Sequence, residues 1–140
     1  MKICVVIPSH NESCAISGLI KEINTHKLPV IVVDDGSTDT TVDCARSAGA
    51  MTLSNERNMG KGASLIRGFD YAVENGYEAV LTMDGDGQHL PADIPLFLDA
   101  AQKHTTPSGP FGIIMGNRMT TVGNMPFARV LTNRFMSWLI

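Results

Sequence analysis

The segment 80–89, VLTMDGDGQH, is an apolar run that stops at two aspartates separated by one glycine. The apolar, branched side chains of 80–83 are typical of a buried parallel strand. Side chains two apart on an extended chain point the same way, with Cα atoms ~6.6 Å apart. The carboxylates of Asp84 and Asp86 would therefore repel unless a cation lies between them or one is protonated. Gly85 and Gly87 let a ligand approach the backbone.

The oxygen-rich side chains of this segment predict a divalent cation site at the end of a strand. Carboxylate and amide oxygens suit Mg²⁺ or Mn²⁺, and Gln88 would add a neutral oxygen to the two aspartates. The alternative is an ordinary surface turn, because Asp and Gly dominate turns. The rest of the chain decides between these two interpretations.

Strand and helix patterns alternate along the chain, which predicts an α/β fold: a Rossmann-like, open, mostly parallel sheet with helices on both faces. The predicted strands are 3–8, 29–33, 50–53, 79–83 and 111–115, and the predicted helices are 15–26 (with Ser13 as N-cap), 38–48, 61–75 and 91–104.

Polar residues follow each predicted strand. Ligands of open α/β sheets bind at the carboxyl ends of the strands. Five polar clusters on one edge therefore favour a binding site over five separate turns, and they span 8–12, 34–37, 55–62, 84–86 and 116–118.

Two of these clusters suggest contacts with a nucleotide. Asp34 and Asp35 end an apolar strand, where a carboxylate can accept hydrogen bonds from ribose hydroxyls or a base N–H. Ser37 or Asp39 would cap the following helix, a role that does not compete with nucleotide binding.

The glycine-rich segment 58–62, NMGKG, opens the next helix. Its N–H groups and the Lys61 ammonium could hold a phosphate, although Lys61 could equally be a solvated surface lysine. Arg67 either reaches the same edge or pairs with Asp70. The chain has neither a Walker A loop nor a G-x-G-x-x-G after its first strand.

Composition indicates one soluble globular domain. The chain has 140 residues, 44% hydrophobic and 18% charged, with a net charge of −3. Without a basic stripe, nucleic acid is an unexpected partner. Cys4, Cys14 and Cys44 are interpreted as free, buried thiols in a reducing compartment. No signal peptide or stretch of about 18 apolar residues is present, which predicts a cytoplasmic protein.

The final twelve residues, 129–140, read RVLTNRFMSWLI and form an apolar, helical pattern without a polar end. A helix this apolar needs a surface that covers it. We therefore expect that the chain is a fragment, or that this segment meets a partner, a second copy of the chain or the cytoplasmic face of a membrane.

Taken in order, these clusters resemble the inverting nucleotide-sugar glycosyltransferases of family 2, which have a GT-A fold. The D-x-D-x-Q form of the aspartate motif is most similar to the polyprenyl-phosphate (dolichol-phosphate) mannosyl- and glucosyltransferases. The matching segments are 6–12 (VIPSHNE), 32–39 (VVDDGSTD), 58–62 (NMGKG), 83–89 (MDGDGQH) and 116–118 (GNR).

The resemblance implies transfer of a hexose from a GDP- or UDP-sugar to a polyprenyl phosphate, with inversion and with Mg²⁺ or Mn²⁺ as cofactor. It also implies a role in cell-envelope biogenesis and a longer catalytic domain, of which 1–140 is an N-terminal part. The implied donor-binding residues are Pro8, His10, Glu12, Asp35, Lys61, Asp84, Gly85 and Asp86. The implied metal ligands are Asp84, Asp86 and Gln88, of which the two aspartates are catalytic, and the implied acceptor-phosphate ligands are Arg118 and Arg129.

Two alternatives are weighed against this function. A chain that binds the donor without transferring the sugar would be a nucleotide-sugar-binding module. A phosphohydrolase of the haloacid dehalogenase type also has D-x-D after a strand, but usually near its N-terminus. His89 is interpreted as a group that supports the metal site and not as a base.

Overall fold

The computed structural model describes residues 1–87, 89–103, 105–106, 109–110 and 113–116. Their secondary structure alternates between strands and helices over most of the chain. The elements are β1 (Ile3–Ser9), α1 (Ile16–Asn24), β2 (Val30–Asp34), α2 (Thr41–Ser47), β3 (Met51–Ser54), α3 (Lys61–Glu74), β4 (Ala79–Thr82), a 3-10 turn (Pro91–Asp93), α4 (Ile94–Lys103), β5 (Thr105–Thr106) and β6 (Gly109–Pro110).

Four strands form a parallel sheet in the order β3-β2-β1-β4. Val6 of β1 lies opposite Ile31 of β2 on one side and Thr82 of β4 on the other. The chain first moves outward from β1 through β2 to β3, and then crosses back over the sheet to place β4 on the other side of β1. The strand order therefore reverses between β1 and β4, which is where open α/β sheets bind ligands.

The two faces of the sheet are covered by different helices. Cys4 and Val6 of β1 pack with Ile31, Val33 and Ala72 in a core cluster on the α3 side. Side chains alternate between faces along a strand, so Val5, Ile7 and Val32, all fully buried, face the other side. Helix α1 buries Ile16, Leu19, Ile20 and Ile23. This arrangement confirms the predicted α/β fold with helices on both faces.

Helix α3 lies unusually close to the sheet at Gly68. A Cβ built on Gly68 would lie 2.5 Å from Val6 Cγ1 and 3.2 Å from Val33 Cγ2. Any side chain here would push the helix away from β1 and β2. The absence of a side chain therefore sets the distance between α3 and the strands.

Two predicted helix starts are wrong. Helix α1 begins at Ile16 after Ala15, without a side-chain cap, and the Ser13 N–H instead donates to Asp39 Oδ2. Helix α2 begins at Thr41 and not at residue 38. The Asp39 carboxylate accepts hydrogen bonds from two parts of the chain, and this holds residues 38–40 in a loop.

The C-terminal part of the description departs from the sequence prediction. The predicted strand 111–115 is not observed at 113–116, which have no regular structure, and residues 111 and 112 lie outside the described part. Instead, β5 and β6 form a short antiparallel pair. The apolar segment 129–140 also lies outside the described residues.

The chain divides into two compact units, Met1–Leu96 and Phe97–Ile140. The four-stranded sheet belongs entirely to the first unit. The prediction of a single domain that continues into a longer catalytic domain stays a prediction. No helix within the described ranges is long and apolar enough to cross a membrane.

The three cysteines differ in their surroundings. Cys4 is buried, and burial raises the pKa of its thiol to about 11. Cys14 is exposed and Cys44 is partly buried, so the expectation of three buried thiols is wrong for these two. All three are free, as predicted.

Candidate functional site

A cleft of about 280 Å³ opens at the carboxyl ends of the strands. It is bordered by the ends of β1 and β4, by the end of β2 and by the first turn of α3. The lining residues are Pro8, Ser9, His10, Glu12, Asp35, Asn58, Gly60, Lys61, Ser64, Asp84, Gly85 and Asp86. All eight donor-binding residues implied by the sequence therefore meet in one cleft, at the point where the strand order reverses.

The end of β1 forms one wall of the cleft. The His10 ring is fixed at both nitrogens: Nδ1 lies 2.9 Å from the Asp35 carbonyl oxygen, and Nε2 lies 3.3 Å from the Asn11 side-chain amide. A carbonyl only accepts, so Nδ1 carries the proton in this arrangement. Ser9 Oγ is buried and has no hydrogen-bond partner among the described residues. This wall therefore contains a ring held in one orientation and a buried hydroxyl.

The loops after β1 and β2 are held together by side-chain hydrogen bonds. Asn11, which has a positive φ of 56°, accepts the Thr38 N–H at 2.9 Å and donates its own N–H to Ser37 Oγ at 2.9 Å. The Glu12 N–H donates to Thr41 Oγ1 at 2.8 Å. The positions of His10 and Glu12 in the cleft consequently depend on the loop that follows β2.

Asp39 is the acceptor at the centre of this contact between loops. It accepts the Thr41 hydroxyl and N–H on Oδ1 and the Ser13 N–H on Oδ2. The Thr41 hydroxyl is the main cause of a pKa lowered from 3.8 to about 2, and the other hydrogen bonds outweigh the opposing effect of desolvation. The expected capping role of Asp39 is thus partly correct, since it holds the first N–H of α2.

Asp34 and Asp35 have different environments, as their alternation along the strand predicts. Asp34 accepts the Ser37 N–H at 3.3 Å and does not line the cleft. Asp35 is only 4% exposed. Its carboxylate accepts the Asn55 amide at 2.8 Å, the Met59 N–H at 2.9 Å and the Gly60 N–H at 2.8 Å. Burial alone would raise the pKa of Asp35, but these hydrogen bonds and one from Ser64 lower it below 3.8.

The turn before α3 is therefore organised by a carboxylate of the protein itself. We expected the N–H groups of segment 58–62 to be available to a phosphate. Two of them, from Met59 and Gly60, donate instead to Asp35. Gly60 has φ 90° and precedes the first helical residue, so this turn aims the N-terminus of α3 and the Lys61 side chain at the cleft.

The end of β4 forms the opposite wall. Lys61 donates to Asp84 Oδ1 at 2.5 Å, and the Asp84 N–H donates to His89 Nδ1 at 2.8 Å. A ring nitrogen that accepts an N–H carries no proton, so His89 has its proton on Nε2, 4.0 Å from Asp84 Oδ2. His89 therefore contacts Asp84, and its predicted role in supporting a metal site stays a prediction. The Lys61 ammonium lies beside Asp84, and the divalent cation expected at the two aspartates stays a prediction.

The donor set is compatible with a divalent cation held jointly with a ligand. Within the described part of the chain, no three His, Cys, Asp or Glu side chains come together as metal ligands. Mg²⁺ commonly uses only one or two carboxylates and takes its other ligands from phosphates and water. Asp84 and Asp86, both in the wall of an open cleft, fit this pattern.

Three predicted ligands cannot be placed. Gln88, Arg118 and Arg129 lie outside the described residues, so their roles stay predictions. Conversely, sequence reasoning placed Ser9, Asn55 and Asn58 in the polar clusters without a role of their own, and it missed Ser64, which lines the cleft. Ser64 carries a recognisable pattern, a polar residue on the buried face of an amphipathic helix.

The sequence matches the model of glycosyl transferase family 2 over residues 4–135. The chain belongs to glycosyl transferase family 2. This membership agrees with the resemblance inferred from the motifs and makes a haloacid dehalogenase-type phosphohydrolase an unsupported alternative.

Two curated relatives have names that refer to a polyprenol monophosphomannose and to undecaprenyl phosphate. The chain is 28% identical over 142 residues to the polyprenol monophosphomannose synthase of Mycolicibacterium smegmatis, covering 93% of this chain and 51% of the relative. It is 29% identical over 132 residues to the undecaprenyl-phosphate mannosyltransferase of Micrococcus luteus, covering 89% and 51%. The chain thus spans about half the length of these relatives.

A solved structure supports the GT-A fold. The chain superposes on glucosyl-3-phosphoglycerate synthase of Mycobacterium tuberculosis with a TM-score of 0.55 and 29% identity, over 67% of this chain and 36% of that one. That structure contains Mn²⁺, UDP-glucose and phosphoglyceric acid. That relative therefore binds a nucleotide sugar together with a divalent cation.

Proposed function

We propose that this chain forms the donor site of an inverting hexosyltransferase that moves a sugar from a GDP- or UDP-sugar to a polyprenyl phosphate. The observation that carries the proposal is the arrangement of Lys61 and Asp84 across one cleft, with Asp86 in the same wall. Separate elements, α3 and β4, bring an ammonium and two carboxylates to the point where the strand order reverses. A diphosphate and its divalent cation need these two kinds of charge side by side.

Different walls of the cleft would bind different parts of the nucleotide-sugar donor. The end of β1, with Pro8, His10 and Glu12, meets the end of β2 and would hold the nucleoside. Lys61 would contact the diphosphate, and Asp84 and Asp86 would hold Mg²⁺ or Mn²⁺. When bound, such a cation neutralises charge on the departing nucleoside diphosphate. Lys61 adds a second positive charge to the same group.

The names of the curated relatives support a polyprenyl phosphate as acceptor. A phosphate oxygen of that lipid would form the new bond to the anomeric carbon while the bond to the nucleoside diphosphate breaks on the opposite face. An ionised phosphate is already a nucleophile, so this reaction needs no general base. Of the four carboxylates that line the cleft, Asp35 is occupied by hydrogen bonds, and this proposal assigns Asp84 and Asp86 to the cation and Glu12 to the nucleoside. None of them is then left to act as a base, which favours an acceptor that brings its own charge.

A second candidate is a nucleotide-sugar-binding module without transfer activity. The observation in its favour is that the chain spans 51% of either mannosyltransferase. Such a chain would bind the donor in the same cleft and release it unchanged.

Donor binding is tested by the thermal unfolding of the 140-residue chain with GDP-mannose, UDP-glucose and UDP-N-acetylglucosamine, each with and without Mn²⁺. A ligand at 100 times its Kd stabilises a protein by about 2.7 kcal/mol, which raises the Tm by several degrees at this size. We expect one nucleotide to raise the Tm in a manner that requires Mn²⁺. No shift with any donor would contradict the donor site.

Transfer is tested with the donor that binds, polyprenyl phosphate in detergent and 3-phosphoglycerate as a competing acceptor. We expect a lipid-linked sugar product that is lost in Asp86→Asn and kept in Asp70→Asn, which removes one acid from the exposed face of α3. Donor binding without any product would instead support the binding module. A product on 3-phosphoglycerate would replace the proposed acceptor.

A further inference from the structure

A chain of hydrogen bonds leads from the surface of α3 to the turn before the same helix. Arg67 Nη1 donates to Asn55 Oδ1 at 2.7 Å and to the Ser54 carbonyl at 2.8 Å. Asn55 Nδ2 then donates to Asp35 Oδ1 at 2.8 Å. Asp35 in turn accepts the N–H groups of Met59 and Gly60. The contact of Arg67 with Asp70, weighed as one use of this arginine, is not the contact that forms.

The direction of each hydrogen bond in this series is fixed by the chemistry of the groups. A guanidinium only donates and a carboxylate only accepts. The amide of Asn55 must therefore turn its oxygen to Arg67 and its nitrogen to Asp35. Asn55 is 7% exposed, and its nitrogen also lies 3.1 Å from Ser64 Oγ. Losing a partner at such a buried site leaves a polar atom without compensation.

Neither Arg67 nor Asn55 belongs to the wall of the cleft, yet both act on groups that do. Asp35 and Gly60 line the cleft, and Gly60 immediately precedes Lys61. The orientation of the turn decides where the Lys61 side chain points. Arg67 is therefore linked through two hydrogen-bonded residues to the position of the ammonium at Asp84.

We infer that Arg67 and Asn55 are positioning residues of the donor site, which hold the Asp35 carboxylate and, through it, the turn that carries Lys61. This inference rests on the proposed function, because it assigns these residues to the binding of a nucleotide diphosphate. Arg67 is suited to the task because its Nη1 donates to both Asn55 Oδ1 and the Ser54 carbonyl.

The test uses Arg67→Ala, with Arg46→Ala as a matched control. Arg46 is also a helix arginine bound to a neighbouring strand, with Nε donating to Thr52 Oγ1 at 2.9 Å, but it has no link to Asp35. We expect the Kd for GDP or UDP with Mn²⁺ to rise about tenfold in Arg67→Ala, which corresponds to about 1.4 kcal/mol. Arg46→Ala should bind like wild type. Arg67→Lys, which can keep one of the two contacts, should recover part of the affinity.

A second measurement needs no ligand. Amide hydrogen exchange by NMR should show faster exchange of the Met59 and Gly60 N–H groups in Arg67→Ala, with the amides of β1 unchanged. The same amides should be unaffected in Arg46→Ala. This readout separates a local loss of order in the turn from a general loss of stability, which would accelerate exchange throughout the sheet.

The possible outcomes distinguish this inference from the proposed function. If wild type binds no nucleotide, the donor site is wrong and the inference is overturned with it. If wild type binds but Arg67→Ala binds equally well and protects both amides, the donor site stands and only the positioning role is overturned. Weaker binding together with faster exchange at Met59 and Gly60 supports the inference.

Discussion

The Lys61 ammonium lies 2.5 Å from Asp84 Oδ1, so an ion pair joins the start of α3 to the end of β4. The two side chains are 59% and 33% exposed. Exposed ion pairs contribute little net stability because water solvates both charges well and screens their attraction. The pair is therefore easily exchanged for other partners. A divalent cation at Asp84 and a diphosphate at Lys61 would each replace one half of it.

Replacing Lys61 should have opposite effects on the binding of a divalent cation at Asp84 and on the binding of a diphosphate. In Lys61→Met, we expect Mn²⁺ alone to bind more tightly, by about threefold to tenfold, since Asp84 no longer has a competing cation. GDP or UDP should bind more weakly, because a positive charge next to the diphosphate is lost. Isothermal titration of metal alone and of nucleotide with metal measures both effects.

Lys103→Met is the control for this substitution. Lys103 pairs with Asp99 at 2.6 Å within α4 and does not line the cleft. Its removal should leave both affinities unchanged. Metal affinity that falls in Lys61→Met would show that the lysine assists metal binding and does not compete with it.

Asp39 predicts a specific dependence of stability on pH. Its pKa is lowered from 3.8 to about 2, chiefly by the Thr41 hydroxyl. A carboxyl with a lowered folded-state pKa stabilises fully above its unfolded pKa, and this contribution disappears as the pH falls through the folded pKa. The Tm difference between wild type and Asp39→Asn should therefore be constant above pH 5 and shrink between about pH 4 and pH 2.

Asp70→Asn corrects this comparison for the removal of one negative charge. Asp70 lies on the exposed face of α3, away from the hydrogen bonds of the two loops. Melting curves of the three proteins at several pH values provide the measurement. A Tm difference between wild type and Asp39→Asn that stays the same down to pH 2 would contradict the lowered pKa of Asp39.

Gly36 and Gly18 should respond to alanine in opposite directions. Gly36 has φ +70°, and a Cβ there would lie 2.6 Å from the Arg57 carbonyl carbon, so Gly36→Ala should cost about 2 kcal/mol or more. Gly18 lies on the exposed side of α1, with nothing within 4 Å of its added Cβ. Gly18→Ala should stabilise by about 0.5–1 kcal/mol. Urea unfolding of both variants tests the pair, and similar effects at the two sites would refute it.

The close approach of α3 to the sheet predicts coupling between Gly68 and Val6. Gly68→Ala should destabilise by about 1–3 kcal/mol, because its Cβ overlaps Val6 Cγ1. Val6→Ala removes that methyl group, so Gly68→Ala should destabilise the Val6→Ala variant much less than it destabilises wild type. A double-mutant cycle of unfolding free energies measures the coupling, and strictly additive effects would mean that the helix moves away without resistance.

The sequence contained enough information for the sheet and for most of the cleft. The apolar runs 3–8, 29–33 and 79–83 predicted strands, because strands that are covered on both faces of a sheet consist mostly of apolar residues. Strands β1, β2 and β4 are found at these positions. The polar residues after these runs meet at one edge because the strands are parallel. Family membership then confirms the function class that the motifs suggested.

The remaining errors arise where a side chain competes with the backbone for hydrogen bonds. The sequence pattern placed the start of α2 at Thr38, but the Asn11 side chain accepts the Thr38 N–H, and the Asp39 carboxylate accepts the N–H of Thr41, where the helix begins. Similarly, a carboxylate from a different strand, Asp35, takes the N–H groups expected to bind phosphate. Asn11 and Thr38 are 27 residues apart, and Asp35 is 24 residues from Met59 and 25 from Gly60, so local sequence patterns carry no trace of these contacts.

Strand β1 has a consequence for the order in which this chain acquires its site. It is the only described strand that pairs on one side with β2 and on the other with β4, whose paired residues begin 76 positions later in the register of Ile3 with Ala79. The two halves of the cleft therefore have no fixed geometry until β4 has joined β1. A chain in which β4 has not yet been synthesised holds a partial sheet and no cleft. A nascent chain consequently gains its ligand site only when β4 pairs with β1, and ligand binding reports on the pairing of two strands that are far apart in sequence.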